Sequence, residues 1–284
     1  MSTEEQKKDV YVPPRKEDGS IDYDRIPDWV VSDAFVRKPY TSGTTDGYCE
    51  AKFEDFQLRS NTYLKDKVKK TAQSPMFRTL GINVINPDKK TYHVSKWVDS
   101  LREYIETYSS VYTDFFITNW QLPGPPHYNV VHLYGRIIGE GEDAAFDNAY
   151  NRFKSGNAAY RNARLKFFPT IVTGPWAVKL AASQLGGNRP CLIGNKLSVT
   201  YNDGPNYIEV NIDIGSSKIA STLNGLIIRS AKGLCVDECF LIESQQDDEL
   251  PERFIGLSRF IHCTLETVKY TMTLPNDYVD EMGL

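Results

Sequence analysis

The residues from Tyr207 to Ile214 alternate between two kinds of chemistry. Ile208, Val210, Ile212 and Ile214 fall on one face of a strand; Tyr207, Glu209, Asn211 and Asp213 fall on the other. Two carboxylates on one strand face can orient a polar group or exchange a proton with it, provided that face lines a cavity. The same pattern also describes a sheet with one face on the core and one in water. A basic group, Arg161, Arg164 and Lys166, stands at the head of another apolar run. Arginine's forked donors fit a carboxylate or a phosphate. These cations can equally pair with Glu209, Asp213 or the Asp247-Asp248-Glu249 run and tie the sheet together. Trp176, after Gly174-Pro175, is an aromatic anchor in either case.

The other candidates carry weaker chemistry. In Asp213-Ile214-Gly215-Ser216-Ser217, Ser216 is suited to cap the helix that follows, and Gly215 permits a sharp turn. Free N–H groups there could hold an anion, which Asp213 would repel. Glu249-Leu250-Pro251-Glu252 reads as a turn opening a short helix, with Pro251 near its first position. His127 lies in a proline-rich turn, and His132, within an apolar strand, reads as a hydrogen-bonded structural residue. The four histidines show no metal-ligand spacing. Cys235 and Cys239 sit inside an apparent strand, where small apolar packing is the simpler reading. No nucleophile elbow, Walker loop, dinucleotide fingerprint or CxxC pair is present, and Gly186-Gly187 through Lys196 lacks the Walker spacing. No catalytic residue, metal site or cofactor is therefore assigned.

The elements that must position these groups follow from periodicity. Apolar residues at three- and four-residue steps predict a helix over Thr91–Ser109, and a shorter one over Phe146–Lys154. A strong helix is expected over Ser217–Ala231, with Ile219, Leu223, Leu226, Ile227 and Ile228 forming either core or cavity wall. Strands are expected at Phe115–Trp120, Val130–Ile138, Lys166–Thr173, Leu197–Asn202, Tyr207–Ile214, Cys235–Ser244 and Arg259–Met272. Residues 28–86 mix short apolar pieces with turn residues, and residues 1–26 read as a polar, extended or disordered arm. Residues 27–284 then form one α+β domain, a curved, mostly antiparallel sheet packed with helices.

Several blocks resemble a known family in fixed order. Phe56-Gln57-Leu58-Arg59 with Asn61 to Lys67 resembles its opening segment, with Ser60 where a glycine is usual. Asn119 to Gly124 resembles its N-x-Q-[VI]-P-G turn, and Tyr160 to Arg259 contains its DIGSS and ELPE blocks. The likeness runs from about Trp29 to Cys263 and is to the C-terminal domain of the plant enhanced disease resistance 2 protein. The chain reads as a free-standing member: plant members carry pleckstrin-homology and START modules ahead of this domain, and neither occurs here. The resemblance implies a lipid-associated setting, and by analogy a sheet wrapped round a long helix with a START-like cavity.

Composition narrows the function. A chain of 284 residues with 40% hydrophobic and 25% charged residues can build a full core. Its net charge of −4 gives no electrostatic footprint for nucleic acid. The opening MSTEEQKKDV has no apolar signal core, and the five scattered cysteines fit a reducing, cytoplasmic setting. The expected function is cytosolic binding of a hydrophobic small molecule, most simply a lipid. Arg161, Arg164, Glu209, Asn211 and Asp213 would be its polar contacts, and Trp176 and Tyr207 its wall. Two alternatives stand beside it. One is an enzyme doing acid–base chemistry in the same cavity, recognisable by a buried carboxyl of raised pKa. The other is a protein-interaction module, favoured if Trp120 and Trp176 are both exposed. Peripheral membrane contact through Lys65, Lys67, Lys69 and Lys70 is a further expectation.

Overall fold

The computed structural model describes residues 11–31, 37, 47–137, 143–184, 189–262, 264–265, 270–275 and 278. The first half of the polar arm and the Gly186-Gly187 turn lie outside them. In chain order the strands are β1 Gly47–Cys49, β2 Gln57–Arg59, β3 Lys69–Thr71, β4 Phe77–Pro87, β5 Tyr112–Leu122, β6 Tyr128–Ile137 and β7 Leu165–Thr173. β8 Cys191–Leu192, β9 Ser198–Gly204, β10 Tyr207–Asp213, β11 Cys235–Ile242, β12 Phe254–Ile261 and β13 Thr271–Met272 follow. The helices are α1 Tyr63–Asp66, α2 Val94–Trp97, α3 Asp99–Thr107, α4 Ala144–Ser155, α5 Ala158–Asn162, α6 Trp176–Gln184 and α7 Lys218–Ser230.

Two sheets carry the fold. One runs β13-β4-β6-β5-β10-β9, the other β1-β12-β11-β7-β8, while β2 and β3 form a separate hairpin. Pairing is antiparallel except for β10 with β5 and β13 with β4. The sheets meet where Thr79 Oγ1 donates to the Leu257 carbonyl at 2.9 Å and Met76 N to the Phe254 carbonyl at 3.0 Å. This is the α+β, mostly antiparallel architecture expected from the periodicities.

Alternation sorts the side chains into layers. Phe116 and Trp120 of β5, with Ile208, Val210 and Ile212 of β10, point between the sheets and meet Phe240, Ile242 and Ile255. Phe146, Tyr150 and Phe153 of α4 join the same core. Their i, i+4, i+7 spacing puts all three on one face of that helix, and the Asp143 carboxylate caps its start by accepting from Phe146 N. On the outer face, Phe115, Ile117, Val131 and Leu133 pack under Leu101 and Ile105 of α3.

Several boundaries differ from those the sequence suggests. The expected helix over 91–109 breaks at Val98, whose extended backbone separates α2 from α3. The eleven-residue β4 and the helix α6 were not distinguished by periodicity. The expected strand over 259–272 is instead β12, which starts earlier and ends at Ile261, with the two-residue β13 beyond. The second half of the arm packs onto the domain: Tyr23 and Ile26 are buried among the residues around α3. Among the described residues, no helix is long and apolar enough to cross a membrane.

Candidate functional site

Between the sheets, beside the main core, lies a cavity of about 230 Å³. Four elements supply much of it. β5 contributes Trp120, β7 and β11 contribute Phe167 and Val236, and α7 lays Leu223 and Ile227 across the top. The helix reaches this position because Ser217 caps it, its hydroxyl accepting from Ala220 N at 3.3 Å. Ser216, the expected cap, instead bridges two segments: it donates to the Asp213 carbonyl at 2.6 Å and accepts from Ser198 N at 2.9 Å. Leu223, Leu226 and Ile227 of α7 also pack with Val178 and Ala182 of α6, so the two helices form one roof.

Almost all of the lining is apolar. The polar side chains there are Cys191, Lys196, Asn224 and Glu238, and Glu238 is the only acid among them. It stands on β11 between Val236 and Phe240, on the inward face, while its neighbours Asp237 and Cys239 point to the other side. Burial pushes the Glu238 carboxyl up to about 8. Its side chain lines the cavity and is 22% exposed, while its Oε2 is fully buried.

Behind Glu238 sits a fully buried polar chain. His132 of β6 has Nε2 3.3 Å from Glu238 Oε2, off hydrogen-bond alignment, and among the described residues neither atom has a hydrogen-bond partner. On its far side, Nδ1 lies 3.1 Å from the Tyr134 hydroxyl and 3.2 Å from the Ser258 hydroxyl, which are 2.6 Å from each other. Burial lowers the imidazole to about 3 and raises the carboxyl to about 8, so it disfavours the charged form of both groups. Gly256 makes the arrangement possible: a Cβ there would lie 2.3 Å from the Tyr134 ring. His132 thus has the hydrogen-bonded, buried setting expected of it, and in addition an acid at its other nitrogen.

The residues expected to bind a ligand lie elsewhere, and none of the seven lines this cavity. The polar face of β10 points outward, toward α2 and α3. Glu209 there is a helix cap, accepting from Val94 N at 2.8 Å, Ser95 N at 2.9 Å and the Ser95 hydroxyl at 2.6 Å. Asn211 belongs to a buried amide ladder, accepting from Asn119 Nδ2 at 2.7 Å and donating to Asn202 Oδ1 at 2.8 Å. Asp213 pairs with Lys90 at 2.6 Å, and the Tyr207 hydroxyl meets His93 Nε2 at 3.0 Å.

The basic group is paired with acids. Arg161 holds Asp203 through two bonds of 3.0 and 2.8 Å, and Arg164 holds the buried Glu249 at 2.9 Å. Lys166 meets Glu252 at 2.9 Å and Glu243 at 2.8 Å. The ELPE block supplies two acids of this network, Glu249 and Glu252, beside Asp203 and Glu243. Pro251 follows a one-turn helix over Asp247–Glu249 and does not open one. The two tryptophans divide: Trp120 is buried at the cavity wall, whereas Trp176 at the start of α6 is 75% exposed. Reasoning from sequence passed over Glu238 because it lies in an apolar strand beside Asp237. The strand's alternation could have singled it out, since it is the charged residue on the face shared with Val236, Phe240 and Ile242.

Comparison with known proteins agrees with the order of the sequence blocks. The family profile described as Protein ENHANCED DISEASE RESISTANCE 2, C-terminal, matches residues 48–263. A protein of Arabidopsis thaliana named Protein ENHANCED DISEASE RESISTANCE 2-like is 30% identical over 213 residues, which are 75% of this chain and 28% of that protein. The chain therefore spans little more than a quarter of the relative it matches. No solved structure matches. Since the profile runs from β1 to just past β12 and takes in the whole cavity except Leu265, this chain belongs to the family of the ENHANCED DISEASE RESISTANCE 2 C-terminal domain.

Proposed function

We propose that this protein binds one hydrophobic, lipid-like molecule in the cavity roofed by α7. The supporting observation is the lining itself: a continuous apolar wall with very few polar groups, the pattern that small-molecule sites share. A solid core would have filled this space, because empty apolar volume costs packing energy. The volume of about 230 Å³ falls below the ~300–1,000 Å³ typical of drug-sized ligands. It suits a single chain or a compact ring system better than a two-chain phospholipid. The test is organic extraction of the purified protein with mass spectrometry of the extract, alongside native mass. A bound lipid or terpenoid near one per chain is the expected result. A clean apo mass, persisting after incubation with mixed membrane lipids, would overturn the reading.

A second reading is favoured by one specific observation. A carboxyl of raised pKa inside an apolar pocket, with a neutral histidine behind it, is the arrangement acid–base enzymes use. On that reading Glu238 is the acid or base acting on the bound molecule. Turnover of an extracted ligand by the wild type, absent in Glu238→Gln, separates an enzyme from a carrier.

A further inference from the structure

Glu238 has a polar group to place and no polar partner in good geometry. Oε2 is sealed from solvent against His132, and no hydrogen bond reaches either carboxyl oxygen among the described residues. The acid is also not neutralised by the cation of the lining, since no ion pair joins it to Lys196. An acid left this way inside a packed protein is costly unless something completes it. We propose that Glu238 is the anchor of the cavity: its carboxyl donates a hydrogen bond to a single neutral oxygen, a ketone, hydroxyl or ether, on an otherwise apolar ligand. This deepens the cavity-binding reading above and rests on it.

The geometry supports each part of the assignment. Nδ1 of His132 lies within reach of two hydroxyls, Tyr134 and Ser258. When one of them donates to it, the ring proton resides on Nε2, turned toward Glu238 Oε2. Oε2 is closed off against that ring, which leaves Oε1 to carry the carboxyl proton, and the side chain lines the cavity with 22% of its surface exposed. The neutral state this needs is the one burial favours. The wall residues next to it in the sheet, Pro169, Val236 and Phe260, offer that proton no side-chain acceptor, and Ser258, directly opposite on β12, is engaged with His132 and Tyr134. A donor in such surroundings selects an acceptor. A hydrocarbon of the same shape leaves it unsatisfied, whereas a ketone completes it.

The inference is tested with two neutral probes of matched length, nonane and 2-nonanone, each displacing the apolar dye N-phenyl-1-naphthylamine from the full chain. Wild type, Glu238→Gln and Glu238→Leu are compared at pH 6.5 and 9.5. At pH 6.5 the wild type should bind the ketone roughly fivefold to tenfold more tightly than the hydrocarbon, the worth of one net hydrogen bond. At pH 9.5, above the Glu238 pKa of about 8, the ionised carboxyl has no proton to donate and that preference should disappear. Glu238→Gln keeps a donor that does not titrate, so its preference should be equal at both pH values; Glu238→Leu should show none at either. The groups facing Glu238 are His132 and Tyr134 of β6, Ser258 of β12, and Cys191 and Lys196 of the lining. All remain in Glu238→Gln, so a pH effect that survives this substitution belongs to them and overturns the assignment. If both probes bind equally at every pH, the anchor falls and the cavity reading stands. If neither displaces the dye and the dye itself does not bind, the cavity reading falls and the anchor with it.

Discussion

Arg259 donates through Nε and Nη2 to the two carboxylate oxygens of Asp237, at 2.5 and 2.7 Å, from the position directly opposite it in the β11–β12 register. Both side chains are almost wholly buried. Asp237 adjoins Glu238 in sequence and faces the other way, so one strand carries a paired acid on one side and an unpaired one on the other. The fork-to-fork geometry is what offsets the burial, which pushes the Asp237 carboxyl up even with the guanidinium on it.

Removing one partner of this pair is more damaging than removing both. Arg259→Leu leaves a buried carboxylate without its cation and should destabilise the fold by about 3–5 kcal/mol. Asp237→Leu combined with Arg259→Leu should cost clearly less than the sum of the single changes. Urea denaturation of the three variants measures this; strict additivity would mean that the two side chains are energetically independent.

Glu209 makes a different test, because its role is local. It supplies the acceptors for the first turn of α2, where two backbone N–H groups and the Ser95 hydroxyl converge on one carboxylate. Glu209→Ala orphans all three and should cost about 2–4 kcal/mol, with increased amide exchange at Val94 and Ser95. Glu209→Gln retains an acceptor oxygen and should recover a substantial part. Unchanged binding of apolar probes by Glu209→Gln would agree with its placement outside the cavity.

Much of this architecture was legible in the sequence because the strands alternate and α4 and α7 repeat at helical spacing. Tyr207–Asp213 was read to within one residue, and Lys218–Ser230 likewise. The direction of the β10 face was not readable. A polar strand face is the same in sequence whether it meets water, a ligand or a buried helix start, and here Glu209 and Asn211 meet α2 and an amide ladder. β4 was missed although Leu80, Ile82 and Val84 alternate with Gly81 and Asn83, because that alternation covers only half of an eleven-residue strand buried on both faces. The Glu238–His132 contact joins residues more than a hundred positions apart on different sheets. Only the meeting of those sheets brings them together.

The cavity should accept filling. Val236 stands beside Glu238 on β11 and is only partly buried, so Val236→Phe can place its ring in open volume rather than in packed core. Stability should hold within about 1 kcal/mol or rise, while displacement of the apolar dye falls at least tenfold. A variant that unfolds early, with dye binding retained, would show that this space is not available to a ligand.

The last prediction concerns pH and isolates the contribution of Glu238 by substitution. Its folded-state pKa of about 8 lies above the ordinary carboxyl value of 4.5. Between those limits the unfolded chain gives up this proton and the folded chain keeps it, so stability falls as pH rises from about 4.5 to about 8 and the full penalty remains above. His132 acts at the other end. Held down to about 3 from 6.5, it stays neutral in the fold while the unfolded ring charges, so its share of stability is lost as pH falls through that window. Glu238→Gln removes the first effect and leaves the second. Its stability relative to wild type should therefore rise between pH 5 and 8, by an amount on the order of a few kcal/mol, and then level off. Below pH 4.5 the two proteins should nearly coincide. Urea midpoints at pH 4.5, 6.5 and 8.5 read the difference directly. A gap that is constant across that range would mean that Glu238 is ionised in the fold, satisfied by a partner other than a neutral ligand oxygen.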